Sequence, residues 1–389
     1  MRVIHIITRM IIGGAQENTL LNCLDLQTDY NDEVLLVTGP ATGPEGDLLT
    51  QGRAGDLAVR IVPELNRAIH PWRDWRALQS LRRIIRDYRP DVVHTHSAKG
   101  GVLGRRAAFS ERVPAIVHTV HGAPFHPYQS SISRNLFRIC ETQAAQWCDR
   151  LISVADAMTD LLVKAGVAEH EKFVTIYSGM NVEPFLDADA HRDATRAALG
   201  IEPHHIVIGK IARLFNLKGH DDLITAAPKL ISACPNVRLL LVGDGTLRHS
   251  LQKRIEQIGM EKHFIFTGLV PPSEVPRMIG AMDALVHTSY REGLARALPQ
   301  ALIAGRPVVS YDVDGAREVT INGETGYLVP PGDTVQLTRR LIQLASDQAG
   351  RMRMGATGRD RFTERFRHQT MTHQIRALYE QIRSQPRKR

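Results

Sequence analysis

Two cations near the middle of the chain have the spacing of an anion-binding loop. In IGKIARLFNLKGHDDLITA, Arg213 ends a strand-like stretch, and Lys218 and Gly219 immediately precede a helix-like stretch. Fixed positive charges beside a helix N-terminus suit a diphosphate, because charge-assisted hydrogen bonds add to the favourable end of the helix dipole. The alternative is a pair of solvated loop cations, but the strand–loop–helix context favours the anion site.

A carboxylate and an amide follow in SYREGLARALPQALIAGRPVVSYDVDG. Glu292 lies just ahead of a helix predicted to run to about Ala304, and Gln300 lies roughly two turns up that helix. A carboxylate and an amide in this relation can hydrogen-bond to the hydroxyls of one sugar ligand. The alternative is that Glu292 is a first-turn acid that only stabilises the helix.

Glycines follow the first predicted strand. Gly13 and Gly14 precede a helix, where they let backbone amides approach an anion, although a tight structural turn explains them about as well. The G-x-G-x-x-G fingerprint is absent at this position, which disfavours an NAD-dependent oxidoreductase.

Histidines mark the ends of two further strands. His121 follows a strand at its carboxyl end, where open α/β sheets bind ligands, so it is a candidate functional residue. His94 and His96 form an H-x-H with no third ligand evident nearby. We interpret them as hydrogen-bonded histidines and not as a metal site.

The composition bounds the class of protein. The 389 residues are 43% hydrophobic and 23% charged, which indicates a globular chain long enough for two domains. Four scattered cysteines without C-x-x-C exclude a disulfide scaffold and a zinc ribbon. The N-terminal apolar run is too short for a signal peptide, and no run approaches the ~20 residues that span a bilayer, so we expect a soluble or peripheral protein.

Strand-like and helix-like segments alternate along the chain. The strand-like runs are continuous and rich in β-branched residues, as buried parallel strands are; they lie at 3–7, 33–38, 59–62, 91–94, 115–120, 150–154, 173–177, 206–212, 236–242, 264–268, 284–289, 307–311 and 326–330. The polar segment 184–205 contains no strand. We therefore predict two doubly wound Rossmann-like domains, 1–183 and 206–365, facing each other across a cleft, with 184–205 as a linker and 366–389 as a C-terminal helix.

The positive charge is concentrated. Of a net charge of +8, residues 351–389 carry 11 Lys and Arg against three acids, which equals the whole surplus. A second basic stretch lies between Arg73 and Arg112. Such patches suit anionic membranes, phosphates or nucleic acid, although solvated helix faces are the simpler explanation. Nucleic-acid binding would call for aromatic side chains among the cations, yet only 5% of the residues are aromatic.

These motifs, in this order, resemble the retaining family 4 glycosyltransferases of the GT-B fold, and the resemblance covers nearly the whole chain. It depends on GGAQ, DVVHTHSAKGGVLGRRAA, VHTVHG, the Arg213 and Lys218-Gly219 pair, LLLVGDG, FTGLV, GRPVVSYDVDGAREV and GETGYLVPPGD. The chain departs from the family at Gln300, where a second Glu is usual, and at Asn181, where Asp is frequent.

The resemblance implies a role for each matching residue. Arg213 and Lys218 would neutralise the leaving diphosphate, and Gly14 would approach it from the facing domain. His121 would contact the donor sugar and Glu292 would hold it. The remaining donor contacts would come from the base pocket and the ribose site: Gly268, Leu269, Val270 and Gln300. The C-terminal helix 366–389 would cross back to the N-terminal domain. No metal or other cofactor is implied.

The implied activity is transfer of a sugar, with retained anomeric configuration, from a nucleoside-diphosphate sugar to a glycan or lipid-linked acceptor. The type resembled builds capsular polysaccharide, exopolysaccharide or lipopolysaccharide. We expect a cytoplasmic, peripheral enzyme at the inner face of the membrane, whose anionic surface would bind arginines of the segment 72–89, such as Arg82, Arg83 and Arg86. The alternatives are a GT-B nucleotide-sugar 2-epimerase and, more remotely, a basic nucleic-acid-binding protein.

Overall fold

The computed structural model describes residues 1–41, 46–49 and 55–385. It divides the chain into two units. Unit 1 consists of Met1–Met180 and Arg365–Arg389, and unit 2 consists of Asn181–Glu364.

The described residues form thirteen strands, and each matches one of the predicted runs. Their bounds are β1 (Arg2–Arg9), β2 (Glu33–Gly39), β3 (Ala58–Ile61), β4 (Val92–His96), β5 (Ala115–Val120), β6 (Arg150–Ser153), β7 (Phe173–Thr175), β8 (Ile206–Ile211), β9 (Val237–Val242), β10 (Phe264–Gly268), β11 (Ala284–His287), β12 (Val308–Tyr311) and β13 (Gly326–Val329).

Helices alternate with these strands. Their bounds are α1 (Gly14–Thr28), α2 (Pro71–Tyr88), α3 (Ala98–Ser110), α4 (Ser131–Ala145), α5 (Asp156–Lys164), α6 (Glu183–Leu186), α7 (Arg192–Ala198), α8 (His220–Ala233), α9 (Arg248–Gln257), α10 (Val275–Gly280), α11 (Ala297–Ile303), α12 (Thr334–Ser346), α13 (Gln348–Phe362) and α14 (His368–Ser384). None of the helices in the described part of the chain combines the length and the apolar character needed to cross a membrane.

Unit 1 is built on a seven-stranded parallel sheet in the order β3-β2-β1-β4-β5-β6-β7. Every residue of β4 and β5 is buried, because helices cover both faces of the sheet. The order reverses direction between β1 and β4, and the carboxyl ends of these two strands therefore form a topological switch point, where open α/β sheets bind ligands.

Unit 2 repeats this plan with a six-stranded parallel sheet in the order β10-β9-β8-β11-β12-β13. Its switch point lies between β8 and β11. The predicted doubly wound fold of both halves is confirmed.

The last helix belongs to unit 1. α14 packs against α1, where Asn22 donates a hydrogen bond to the Thr372 hydroxyl and Asp25 accepts one from it. The apolar face of α14 enters the unit 1 core through four buried side chains: Met371, Ile375, Leu378 and Tyr379.

The predicted linker 184–205 is not a free connection. It holds α6 and α7, and both pack against α10 within unit 2. Arg192 fixes this contact by donating to the carbonyls of Gly280 and Met282 and to the Asp283 carboxylate. The units divide after Met180 and after Glu364, close to the predicted domain ends at 183 and 365, but 184–205 belongs to unit 2. The prediction of a linker failed because 184–205 contains no strand, yet it docks through buried apolar side chains such as Phe185, Ala188 and Ile201.

Candidate functional site

The loop after β8 brings Arg213, Lys218 and Gly219 to the N-terminus of α8. Gly219 is the N-cap of this helix and adopts a left-handed conformation with a φ of 62°. A Cβ added there would lie 2.0 Å from the Thr288 carbonyl oxygen. Only glycine fits this position, for both reasons.

Hydrogen bonds from β8 and from the segment after β11 hold this loop in place. Lys210 Nζ donates to Thr288 Oγ1 at 2.7 Å, and that hydroxyl donates to the Gly219 carbonyl at 2.6 Å. The Tyr290 amide also donates to the Leu217 carbonyl at 2.8 Å. Burial, together with repulsion from Lys218, lowers the pKa of Lys210 to about 7. Lys210 was not among the predicted site residues, although a lysine inside a continuous apolar strand is a visible signal.

Lys218 and Glu292, 74 residues apart, form an ion pair in which the ammonium donates to Oε1. Burial alone would raise the pKa of Glu292, but the charge of Lys218 and the nearby His287 hold it below its usual value. The predicted cation and the predicted carboxylate therefore occupy one site in unit 2.

The expectation that a helix begins just after Glu292 is wrong, since α11 begins only at Ala297. The backbone between them bonds to another loop: the Glu292 amide donates to Asp314 Oδ2 at 2.7 Å, and Gly293 accepts from the Gly315 amide at 3.0 Å. Glu292 is thus not a first-turn acid of α11.

The N-terminus of α8 is open to an anion. Gly219 offers no side-chain cap, and the two acids of the first turn are engaged elsewhere in the described structure. Asp222 accepts from the hydroxyls of Tyr290 and Tyr311, and Asp221 pairs with Arg254. Arg213 is exposed on the same loop, with its guanidinium 5.2 Å from the centre of the Phe215 ring. The first-turn amides and two cations can therefore act on one anionic ligand.

The other unit 2 candidates lie on adjacent elements. Gly268 ends β10 with a φ of 74°, and Leu269 after it is 71% exposed. Val270 and Gln300 are half-buried, the latter on α11. A cavity of about 590 Å³ between α9 and β10 includes none of these residues in its lining.

Gly14 and His121 lie in unit 1. Gly14 begins α1, whose N-cap Gly13 supplies no side-chain hydrogen bond in the described structure. His121 directly follows β5, half-exposed at the carboxyl edge of the sheet.

His5 is a third imidazole beside His94 and His96, which the local sequence did not predict. Parallel pairing of β1 with β4 sets His5 opposite His94, 89 residues later in the chain. His5 Nδ1 lies 3.0 Å from His96 Nε2, and His96 Nδ1 lies 3.2 Å from His121 Nε2. His94 bonds separately to the Tyr379 hydroxyl at 2.5 Å and to Thr119 Oγ1 at 2.7 Å.

The three imidazoles of His5, His94 and His96 lie close enough to hold a metal ion. Both nitrogens of His94 and both of His96 are already hydrogen-bonded, however, so a metal would have to displace those partners. Burial lowers the pKa of His5 to about 3, and it also lowers the pKa values of His94 and His96. The cluster is therefore neutral and hydrogen-bonded at pH 7.

Family models match both halves of the chain. Residues 13–184 match Glycosyltransferase Family 4, and residues 191–361 match Glycosyl transferases group 1. The chain belongs to the family 4-type glycosyltransferases of the GT-B fold. The two matches meet close to the boundary between units 1 and 2, and they include every predicted site residue.

Curated relatives of this glycosyltransferase carry compatible names. It is 27% identical over 352 residues to the UDP-Gal:alpha-D-GlcNAc-diphosphoundecaprenol alpha-1,3-galactosyltransferase of Escherichia coli, covering 89% of this chain and 88% of the relative. It is 23% identical to the capsular polysaccharide biosynthesis glycosyltransferase CapM of Staphylococcus aureus, covering 83% and 85%.

Solved structures show the same fold. Anabaena HepE, crystallised with UDP, superposes with a TM-score of 0.81 at 23% identity, covering 98% of this chain and 100% of that one. A complex of the same protein with UDP-glucose gives a TM-score of 0.81 at 22% identity and the same coverage.

Proposed function

We propose that this glycosyltransferase moves a hexose from a UDP-sugar to a lipid-linked or glycan acceptor in bacterial cell-envelope polysaccharide synthesis, with retained configuration. The observation that carries the proposal is the Lys218–Glu292 pair beside the uncapped N-terminus of α8. The names of the Escherichia coli and Staphylococcus aureus relatives and the UDP ligands of HepE support the donor and the acceptor class.

Charge development in the reaction matches this site. As the bond from the anomeric carbon to the diphosphate oxygen breaks, negative charge collects on the phosphate and positive charge on the sugar. Lys218, Arg213 and the α8 amides stabilise the phosphate, and they do so more strongly in the transition state than in the ground state. Glu292 faces the sugar, where its carboxylate holds hydroxyls and favours the positive centre.

Retention follows if the acceptor attacks from the side that the diphosphate leaves. The acceptor oxygen forms the new bond to the anomeric carbon, and its proton passes to the departing diphosphate oxygen, so the charges balance without a protein nucleophile. The resemblance adds Gly14 at the diphosphate and His121 at the sugar, Gly268, Leu269 and Val270 at the base, and Gln300 at the ribose. We propose these roles together with the reaction, and we propose no metal or other cofactor.

The test of the site is Lys218→Met. We expect turnover of a UDP-sugar to fall at least ~100-fold in a variant that still folds, because a fixed charge at a developing anion contributes several kcal/mol. Loss of the ion pair with Glu292 should lower the melting temperature as well, so circular dichroism must show that the variant is folded at the assay temperature. Lys229→Met is the matched control, since Lys229 is an exposed lysine on α8, the helix that follows Lys218. Near-normal turnover of Lys218→Met would remove the diphosphate assignment.

The reaction class is tested on the wild-type protein. Proton NMR of the product should show the anomeric configuration of the donor, and activity should persist in excess chelator. Inversion would refute the retaining mechanism, and loss of activity restored by a divalent ion would refute metal independence. Conversion of a UDP-sugar to its 2-epimer without transfer would favour the epimerase.

An exposed apolar stripe supports a membrane-bound acceptor. Ile132, Leu136 and Ile139 on α4 are 83%, 52% and 57% exposed and recur at helical spacing. Trp72 and Trp75 on α2 are also exposed, with stacked rings 5.0 Å apart. Such side chains enter the interface of a bilayer, and basic neighbours add attraction to anionic lipid.

The arginines singled out in the segment 72–89 contribute less than the sequence suggested. Arg82 and Arg86 both donate to Glu111, which leaves Arg83 of the three without an ion pair in the described structure. We therefore propose that the α4 stripe carries much of the membrane affinity.

Co-sedimentation with vesicles containing phosphatidylglycerol tests this. Binding should weaken with added salt and fall clearly when Ile132, Leu136 and Ile139 are all changed to Ser. Val335→Ser, at an exposed apolar position of unit 2, is the control and should not change binding. Absence of binding at low salt would indicate a soluble acceptor.

A further inference from the structure

Three imidazoles form a hydrogen-bonded chain that includes His121, the predicted sugar-contacting residue. The chain runs from His5 on β1 through His96 on β4 to His121 after β5, with nitrogen–nitrogen distances of 3.0 and 3.2 Å. His5 and His96 are buried, whereas His121 is half-exposed.

Each contact in this chain needs one proton. A neutral imidazole offers one donor and one acceptor, so the orientation of the first hydrogen bond dictates the second. Two arrangements are possible: the protons lie on the Nδ1 atoms of His5 and His96, or on the Nε2 atoms of His96 and His121.

The buried end of the chain selects between them. His5 Nε2 has no hydrogen-bond partner in the described structure. A buried N–H without an acceptor is rarer and less favourable than a buried lone pair without a donor, so the proton of His5 lies on Nδ1. His5 then donates to His96 Nε2, and His96 Nδ1 donates to His121 Nε2.

We infer that His5 and His96 are positioning residues that hold His121 as a neutral imidazole with its proton on Nδ1, so that His121 is a hydrogen-bond donor to the substrate and not a general base. The inference concerns the sugar site of the proposed function and rests on that function for its role in transfer. An N–H donor suits a hydroxyl or ring oxygen of the sugar, while the acceptor's proton goes to the diphosphate.

A metal ion at His5, His94 and His96 is the competing arrangement. The metal would replace protons on the coordinating nitrogens and so break hydrogen bonds of the chain, and it would take His94 as its third ligand. The hydrogen bonds of His94 to Tyr379 and Thr119 are complete without it.

Nitrogen NMR of the full chain labelled with ¹⁵N-histidine reads the tautomers directly at pH 7.5. Single-histidine variants assign the signals. We expect His121 to show a protonated Nδ1 and an unprotonated Nε2, with the same pattern for His96 and His5. A protonated Nε2 on His121, a charged or averaging ring, or a stoichiometric metal in the purified protein would overturn the inference.

His5→Phe extends the test, because Phe keeps a buried ring but removes the first donor. The His121 signals should then show both tautomers, and kcat should fall on the order of tenfold, since outer partners that set a tautomer have effects of that size or larger. UDP affinity should stay the same. His94→Gln is the matched control in the same cluster and should leave the His121 signals unchanged.

The two proposals fail separately. If the predicted tautomers are found but the protein has no transferase activity, only the proposed function is refuted. Transferase activity with a protonated His121 Nε2 would refute only the imidazole chain. If His5→Phe does not fold, the wild-type spectrum still decides.

Discussion

Replacing Glu292 by Gln should separate ligand binding from turnover. Lys218 is paired with Glu292, so a diphosphate must compete with that carboxylate for the ammonium. The variant removes the competing charge and the repulsion between carboxylate and diphosphate. UDP alone should therefore bind more tightly, although transfer becomes slower because the sugar loses its contact.

The burial of the pair sets the magnitude. The two side chains are 20% and 25% exposed, which places the pair between surface and fully buried ion pairs. Surface pairs contribute up to ~1 kcal/mol, and breaking a buried pair costs ~3–5 kcal/mol. Gln still accepts a hydrogen bond from Lys218, so part of the competition remains. We therefore take ~1.5 kcal/mol as the upper limit of the gain in the free energy of UDP binding, which corresponds to about tenfold in the Kd of UDP.

Isothermal titration calorimetry with UDP, paired with a transferase assay, measures both effects. We expect UDP binding to tighten by ~3–10-fold and turnover to fall by ~100-fold or more. Glu324→Gln is the control, because it removes the same charge from an exposed pair with Arg361 in unit 2. Weaker UDP binding in Glu292→Gln would refute the competition for Lys218.

Two further predictions concern stability. Gly219→Ala should lower the free energy of unfolding by at least ~2 kcal/mol and abolish transfer. The control Gly200→Ala has a similar φ of 67° but open space around it, so it should lower the free energy of unfolding by only about 1 kcal/mol. Equal losses in a thermal unfolding experiment would contradict the clash with Thr288. Acid should destabilise unit 1 below pH 6.5. In that range the histidines of the unfolded chain take up protons, whereas the same histidines stay neutral when buried in the folded protein. Each such histidine should lower the free energy of unfolding by up to ~1.4 kcal/mol per pH unit. Urea unfolding followed by tryptophan fluorescence tests this, since all three tryptophans lie in unit 1, and a stability independent of pH would refute it. Burial is the main cause of the lowered pKa in each of these histidines: His5, His94, His96 and His118.

The sequence predicted the thirteen strands of the described residues because most of them are buried parallel strands, which appear as continuous apolar runs without tertiary information. The edge strand β3 is mostly exposed and was found from its β-branched residues. It also placed Lys218 at a helix N-terminus, since Gly219 marks that start locally. The role of 184–205 depended on docking against α10, a contact between distant segments that the local sequence does not reveal.

Contacts between distant segments were harder to predict. The approach of His5 to His96 requires β1 to neighbour β4, and local patterns do not specify strand order. The support of Lys210 for Gly219 likewise passes through Thr288, 78 residues from Lys210. Sequence reasoning therefore found the residues beside the ligand site more readily than those that position them.

The place of α14 in unit 1 dictates an order of events during synthesis. The ribosome makes all of unit 2 before it makes this helix, and until then the unit 1 core lacks Met371, Ile375, Leu378 and Tyr379. Unit 1 of the nascent chain therefore exposes apolar core surface until α14 has been made. Unit 2 is contiguous in the chain and can fold on its own before that. A stop codon near residue 367 would thus remove a core element of the half of the protein that was synthesised first.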